Sequence, residues 1–162
     1  GPERGLILLV GREGQGCRAS PAQALAHVAG YTVVNDLTLP HESFYRPSLP
    51  FKVRDRSCPM GPWIRARDQV ADPDELDIIV RIDGEVRLQA STGTLIRPVA
   101  QLLADVSEFM TLLPGDVLLA GVPAGVPLAR AGQSVSVEID GVGVLENRLV
   151  SEQEYMSGEA RS

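Results

Sequence analysis

The stretch DIIVRIDGEVRLQ, residues 77–89, places two apolar-rich runs on either side of Asp83-Gly84. Asp-Gly is a hairpin dipeptide, because a two-residue turn of this kind needs positive φ at both central positions to match the twist of its strands. Asp140-Gly141 repeats the signal between Gly132–Ile139 and Val142–Leu145. Outward from these hairpins, the continuous apolar run Leu6–Val10, ended by Gly11, reads as a buried strand, and Tyr31–Asn35 reads as another. Leu113-Pro114-Gly115-Asp116 is a turn into a strand at Val117–Ala120, and Cys58–Ile64 is expected to return to the core. Two helices are predicted. One starts with Ser20 as N-cap and Pro21 at N1, runs through Val28 and stops at Gly30; the other spans Arg97–Met110, with Val99, Leu102, Leu103, Val106, Phe109 and Met110 at helical spacing. Many short strands with two helices give an α+β domain built on a curled, mixed sheet over residues 1–150, with 151–162 as a flexible tail.

Composition bounds the function. With 162 residues and 44% hydrophobic content, the chain has enough apolar matter for one core and one domain. A formal charge of -6 argues against nucleic acid or an anionic membrane as partner, since either wants a basic face. A small anion is still admissible where a few cations are focused. Cys17 and Cys58 have neither the number nor the spacing of a disulfide framework or a zinc site, which points to the reducing cytoplasm. No apolar run has the length of a membrane span, and no signal peptide is evident. The chain opens Gly1-Pro2 without Met and enters a strand almost at once, so either residues upstream are missing or the sequence is a fragment.

Chemistry concentrates in Gly30–Asp55, GYTVVNDLTLPHESFYRPSLPFKVRD, where Asp36, His41, Glu42, Tyr45, Arg46, Lys52 and Asp55 follow one apolar strand. Such a strand holds polar groups at its end instead of leaving them adrift. Lys52 is the only lysine in the chain. Its ammonium is a compact charge whose pKa falls on burial, so it can serve acid–base work closed to arginine. The competing reading is that an arginine-rich composition left one lysine behind. His41-Glu42 has the makings of an acid–base dyad, but neighbours on an extended segment point to opposite sides, and a solvated loop pair is the alternative. His27, inside the first predicted helix, reads as structural.

The ordered elements AGYTVVNDL, KVRD, CPMGPWI, DGEVRLQASTGTLI, SEFMTLLPGDVLLAGVPAGV and VEIDGVGVLENRLV resemble the fumarylacetoacetate hydrolase family over nearly the whole chain. The Leu-x-Pro-Gly-Asp-x-x-x-x-Gly-x-Pro element in register with Gly-x-Gly-x-Leu-x-Asn is specific. Within the family, residues 35–61 are most similar to the N-terminal half of the bifunctional isomerase/decarboxylases of homoprotocatechuate (4-hydroxyphenylacetate) catabolism. The resemblance implies a β-roll core, a homodimer or a heteromer with a paralogous subunit, and Mg2+- or Mn2+-dependent chemistry on small 2-oxo or 2-enol diacids. It also implies Asp36 and Glu3 as metal ligands, with Gly5 standing where relatives carry a second glutamate, so that the cation is held weakly or not at all. Lys52 and Thr92 fall on substrate-facing positions, Tyr45-Arg46 on the loop that closes over the substrate, and Val122 replaces a threonine. Arg46 and Lys52 would neutralise the two ends of a dioate. The implied activity is isomerisation of a dienol diacid, with or without decarboxylation of its precursor. A degenerate partner subunit of a metal-competent paralogue and an acylpyruvate hydrolase are the alternatives.

Overall fold

The computed structural model describes residues 3–10, 20–40, 49–121 and 125–158, with the backbone alone for 3–10 and for Lys52. Among the described residues eight strands form two four-stranded sheets: β1 (Glu3–Val10), β2 (Val28–Asp36), β3 (Met60–Ala66) and β6 (Val117–Gly121) in the order β3-β2-β1-β6, and β4 (Asp77–Ile82), β5 (Glu85–Ser91), β7 (Ser134–Ile139) and β8 (Gly143–Arg148) in the order β5-β4-β7-β8. Every ladder among the described strands is antiparallel. The helices among the described residues are α1 (Pro21–Ala24), α2 (Leu49–Lys52), α3 (Val99–Phe109) and α4 (Glu152–Ser157), of which α3 alone exceeds two turns. This is the α+β class that the strand pattern predicts, in the β-roll that the resemblance implies.

Alternation builds the second sheet. Ile78, Val80 and Ile82 of β4 and Val135, Val137 and Ile139 of β7 point inward, where they meet Tyr31 and Val33 of β2 and Val99 and Leu103 of α3 in one core. The β4–β5 turn has the expected conformation, with φ of 51° at Asp83 and 82° at Gly84. Asp83 is fixed there by its carboxylate, which accepts from the Ser134 backbone N–H at 2.9 Å and from Gln133 Nε2 at 2.7 Å. Pro98 cannot cap α3 with a side chain; Asp74 does so from a distant loop, accepting from the Val99 N–H at 2.7 Å.

Two predicted elements differ. The first helix is one turn, α1, followed by a tighter turn at Leu25–His27, and β2 already begins at Val28. Gly30 therefore does not stop a helix. It lies in β2 because β3 crosses close by: a Cβ at Gly30 would sit 2.4 Å from the Arg65 carbonyl oxygen. The Cys58–Ile64 segment supplies β3, an edge strand with Met60, Trp63 and Ile64 about half exposed rather than buried in the core. Its inward anchor is the Trp63 indole, whose Nε1–H donates to the Val142 carbonyl at 2.8 Å. Ser151 and Glu154 form a capping box that starts α4.

Candidate functional site

The site grows from the last residues of β2. This strand is buried on both faces over most of its length, with Tyr31, Val33 and Asn35 facing the core and Thr32, Val34 and Asp36 facing the other way. Register then sets the partners of Asp36. In the β1–β2 ladder Glu3 stands opposite Asp36 and Gly5 opposite Val34, so Glu3 and Gly5 share the Asp36 face. Asp36 is 7% exposed. Behind it Asn35 is fully buried: its N–H donates to the Pro59 carbonyl at 3.0 Å, and its Nδ2 donates to Asn147 Oδ1 on β8 at 3.3 Å.

Beyond Asp36 the chain runs back along the 51–57 segment, with Leu37 N–H on the Ser57 carbonyl at 2.7 Å and Leu39 N–H on the Phe51 carbonyl at 2.9 Å. Lys52 ends α2 in this segment. A cleft of about 1000 Å³ opens here, between residues 37–40, Phe51 and 54–57 on one wall and residues 128–131, 148–152, Tyr155 and Met156 on the other. It collects Arg54, Arg56, Arg130 and Arg148 against the acids Asp55 and Glu152. Arg54 pairs with Glu152 at 3.6 Å, and the Arg56 guanidinium lies 5.5 Å from the Tyr155 ring centroid. The balance is positive in a chain of net negative charge, which suits an anion near the end of β2.

Thr92 opens a tight turn after β5 and is 1% exposed. Its hydroxyl oxygen accepts from the Leu76 N–H at 2.8 Å, which leaves its own O–H to donate. The same turn brings Leu95 against Gly121, where a Cβ would lie 3.1 Å from Leu95 Cδ2. Gly121 is paired with Leu6, the neighbour of Gly5, so the Thr92 turn is joined through β6 to the strand that carries Glu3.

Of the residues singled out in the sequence, Glu3 and Asp36 thus stand opposite each other by register, and the Thr92 turn packs on β6, which pairs with β1. His41, Glu42, Tyr45, Arg46 and Val122 lie outside the described residues. Among the described residues no group of three or more His, Cys, Asp or Glu could hold a metal ion. The carboxylates of Asp36 and Glu3 are hard oxygen donors, the type that Mg2+ or Mn2+ takes, and two of them match a cation that keeps several waters. Arg130, Arg148 and the Asn35–Asn147 contact were not foreseen. Asn147 ends the Gly-x-Gly-x-Leu-x-Asn motif, so its signal was present without a role. The two arginines, in contrast, carry no local signal, because only the fold brings the Arg130 loop and the end of β8 to the end of β2.

The model of the fumarylacetoacetate (FAA) hydrolase C-terminal family matches residues 3–150. A 4-hydroxyphenylacetate degradation bifunctional isomerase/decarboxylase of Escherichia coli is 41% identical over 153 residues, which is 93% of this chain and 35% of that protein. The chain therefore spans about a third of the length of the curated relatives of that kind. A solved 5-carboxymethyl-2-hydroxymuconate delta-isomerase from Mycobacterium smegmatis superposes with a TM-score of 0.82 at 33% identity, covering 92% of this chain and 58% of that one. A fumarylpyruvate hydrolase from Pseudomonas aeruginosa, solved with Mn2+ and pyruvate, gives 0.82 at 35% identity, covering 93% and 66%. No helix among the described residues is long and apolar enough to cross a membrane.

Proposed function

The chain belongs to the fumarylacetoacetate hydrolase family, and from that membership we propose that it acts on small 2-oxo or 2-enol diacids as an isomerase/decarboxylase of aromatic catabolism. The observation that carries this reading is the buried Asp36 set opposite Glu3 at the end of the β1–β2 ladder, beside a cleft of positive balance. A 2-hydroxyhepta-2,4-diene-1,7-dioate becomes its 2-oxo-3-ene isomer by losing the proton on O2 and gaining one at C5. Loss of CO2 from a carboxyl group on C5 of the related oxo acid delivers its electron pair into the same dienolate. Both reactions thus need negative charge held at O2 and at the carboxylates.

Asp36 and Glu3 would hold a Mg2+ or Mn2+ ion, which when bound polarises the 2-oxo group. The relative solved with Mn2+ and pyruvate supports that assignment. Lys52 and Arg46 would neutralise the substrate's charged ends, Thr92 would donate its O–H to a carboxylate, Tyr45 would cover the ligand, and His41 or Lys52 would move the proton. The test is a metal analysis of the purified chain together with a screen of 2-oxo-enoic diacids in D2O with Mn2+. Deuterium entering C5 without mass loss marks the isomerase, CO2 release the decarboxylase, and C–C cleavage into two acids a hydrolase. No turnover of any such diacid overturns the proposal.

Gly5 favours a second reading, in which the chain supports a paralogue that keeps both glutamates; activity would then emerge only on mixing the two. Pairing with a second copy or such a paralogue would also cover the exposed Met60, Trp63 and Ile64 of edge strand β3. Light scattering that finds a monomer at all concentrations, with and without the paralogue, excludes both assemblies.

A further inference from the structure

Two asparagines 112 positions apart meet behind the candidate site, and we infer that the Asn35–Asn147 hydrogen bond is a latch that positions Asp36. Asn35 is the last core-facing residue of β2 and is fully buried, next in the chain to Asp36. Asn147 lies on β8 in the opposite sheet, across from Val135 of the core. An apolar residue at either position would satisfy packing without fixing where the strand end sits, because burial is non-directional. A buried amide instead carries a cost that is relieved only at one alignment of donor and acceptor, so the pair selects one placement of β2 over β8. The Asn35 N–H bond to Pro59 holds the same residue from the β3 side. With Asn35 held from two directions, the side chain of Asp36 is aimed to the opposite face, toward Glu3. Hydrogen bonds made directly to a metal ligand commonly change affinity by about 10–100-fold when removed, and the latch acts on the same placement from one residue further along the strand.

The latch rests on the reading of Asp36 as a ligand, and two measurements on the full chain separate their fates. Asn147→Leu keeps bulk and deletes the acceptor; Asn147→Asp keeps the acceptor. Amide hydrogen exchange should quicken about tenfold or more at 34–37 in Asn147→Leu, with the β4–β7 ladder unchanged, and return toward the parent in Asn147→Asp. Mn2+ titration should show affinity weakened about tenfold or more in Asn147→Leu and largely restored in Asn147→Asp. Exchange unaltered at 34–37, or raised equally across both sheets, overturns the latch. If exchange responds as stated but neither the parent nor any variant takes up Mn2+, the latch holds the strand end and the ligand reading of Asp36 fails instead.

Discussion

Strands β7 and β2 are both central in their sheets, yet they are buried differently. In β7 only Val135, Val137 and Ile139 are buried, and the serines and Glu138 between them are partly open; in β2 every residue but Ala29 is buried. The half-buried strand is a packing element whose outer face meets solvent. The fully buried one has a second covered face. Three of the five buried polar side chains among the described residues, Thr32, Asn35 and Asp36, sit on β2. Covering polar groups costs free energy unless they are bonded, and a strand that pays this twice over has a use for its second face. The comparison thus separates a strand that holds the molecule together from one that also presents chemistry.

The largest effect that could break this contrast is on β7. Ile139 is 1% exposed within the common core. Ile139→Ala should lower stability by about 2–5 kcal/mol, seen in a denaturant titration, while the fraction that remains folded keeps its kcat/KM. A selective loss of turnover with little loss of stability would mean that β7 too serves the site.

Lys52→Met reverses the expectation. It deletes a charge at the end of α2 and leaves the stem, so thermal melting should match the parent. If the ammonium neutralises a substrate carboxylate or enolate, kcat/KM on a dienol diacid should fall by about 2–4 kcal/mol in transition-state binding, roughly thirty- to a thousand-fold. Lys52→Arg should recover little, because a planar fork does not replace a point charge. Unchanged kcat/KM in Lys52→Met ends the catalytic role of this residue.

The packing half of the comparison was legible and the chemical half only partly so. Ile78, Val80, Val135 and Val137 announce themselves by alternation, and Asp83-Gly84 fixes the register of its hairpin locally; Asp140-Gly141 marks the second hairpin, but its loop takes three residues, 140–142, with positive φ at Gly141 and not at Asp140. The β2 end is set by partners distant in sequence. Gly30 looks like a helix stop because the Arg65 carbonyl that excludes a side chain there is on another strand. Trp63 looks like core because its buried contact is one indole N–H on Val142, with half of the residue left exposed. Asp36 could be marked by family resemblance, whereas its buried neighbour Asn35 gained meaning only once β8 lay behind it.

A smaller effect tests the outward face of β2. Gly5 lies on the Asp36 face two residues from Glu3, so Gly5→Glu would add a third carboxylate beside the pair. Mn2+ binding should tighten by about tenfold or more, near 1.4 kcal/mol, from a parent that binds weakly. Tight binding by the parent chain, or no change in the variant, would show that this face does not hold the cation through these residues.

The smallest effect concerns the inward face of β2, which should behave like β7. Tyr31 is 1% exposed, and burial pushes its phenol up to about 12, with Arg67 opposing the rise and Asp74 and Asp72 adding to it. The folded state therefore keeps the proton over a range in which the unfolded chain, near 10, releases it. Below pH 10 both states are protonated and the contribution of Tyr31 is fully present. As pH rises from 10 to 12 the unfolded chain binds fewer protons than the folded one, so stability must decline across that window. Tyr31→Phe keeps the ring and removes the titrating group, so its melting temperature should fall less than the parent's between pH 9 and pH 11.5. Turnover near neutrality should be untouched, because the phenol faces the core and not Asp36. An equal alkaline decline in both proteins would remove Tyr31 as its source, and a neutral-pH rate loss in Tyr31→Phe would show that the two faces of β2 do not divide packing from chemistry.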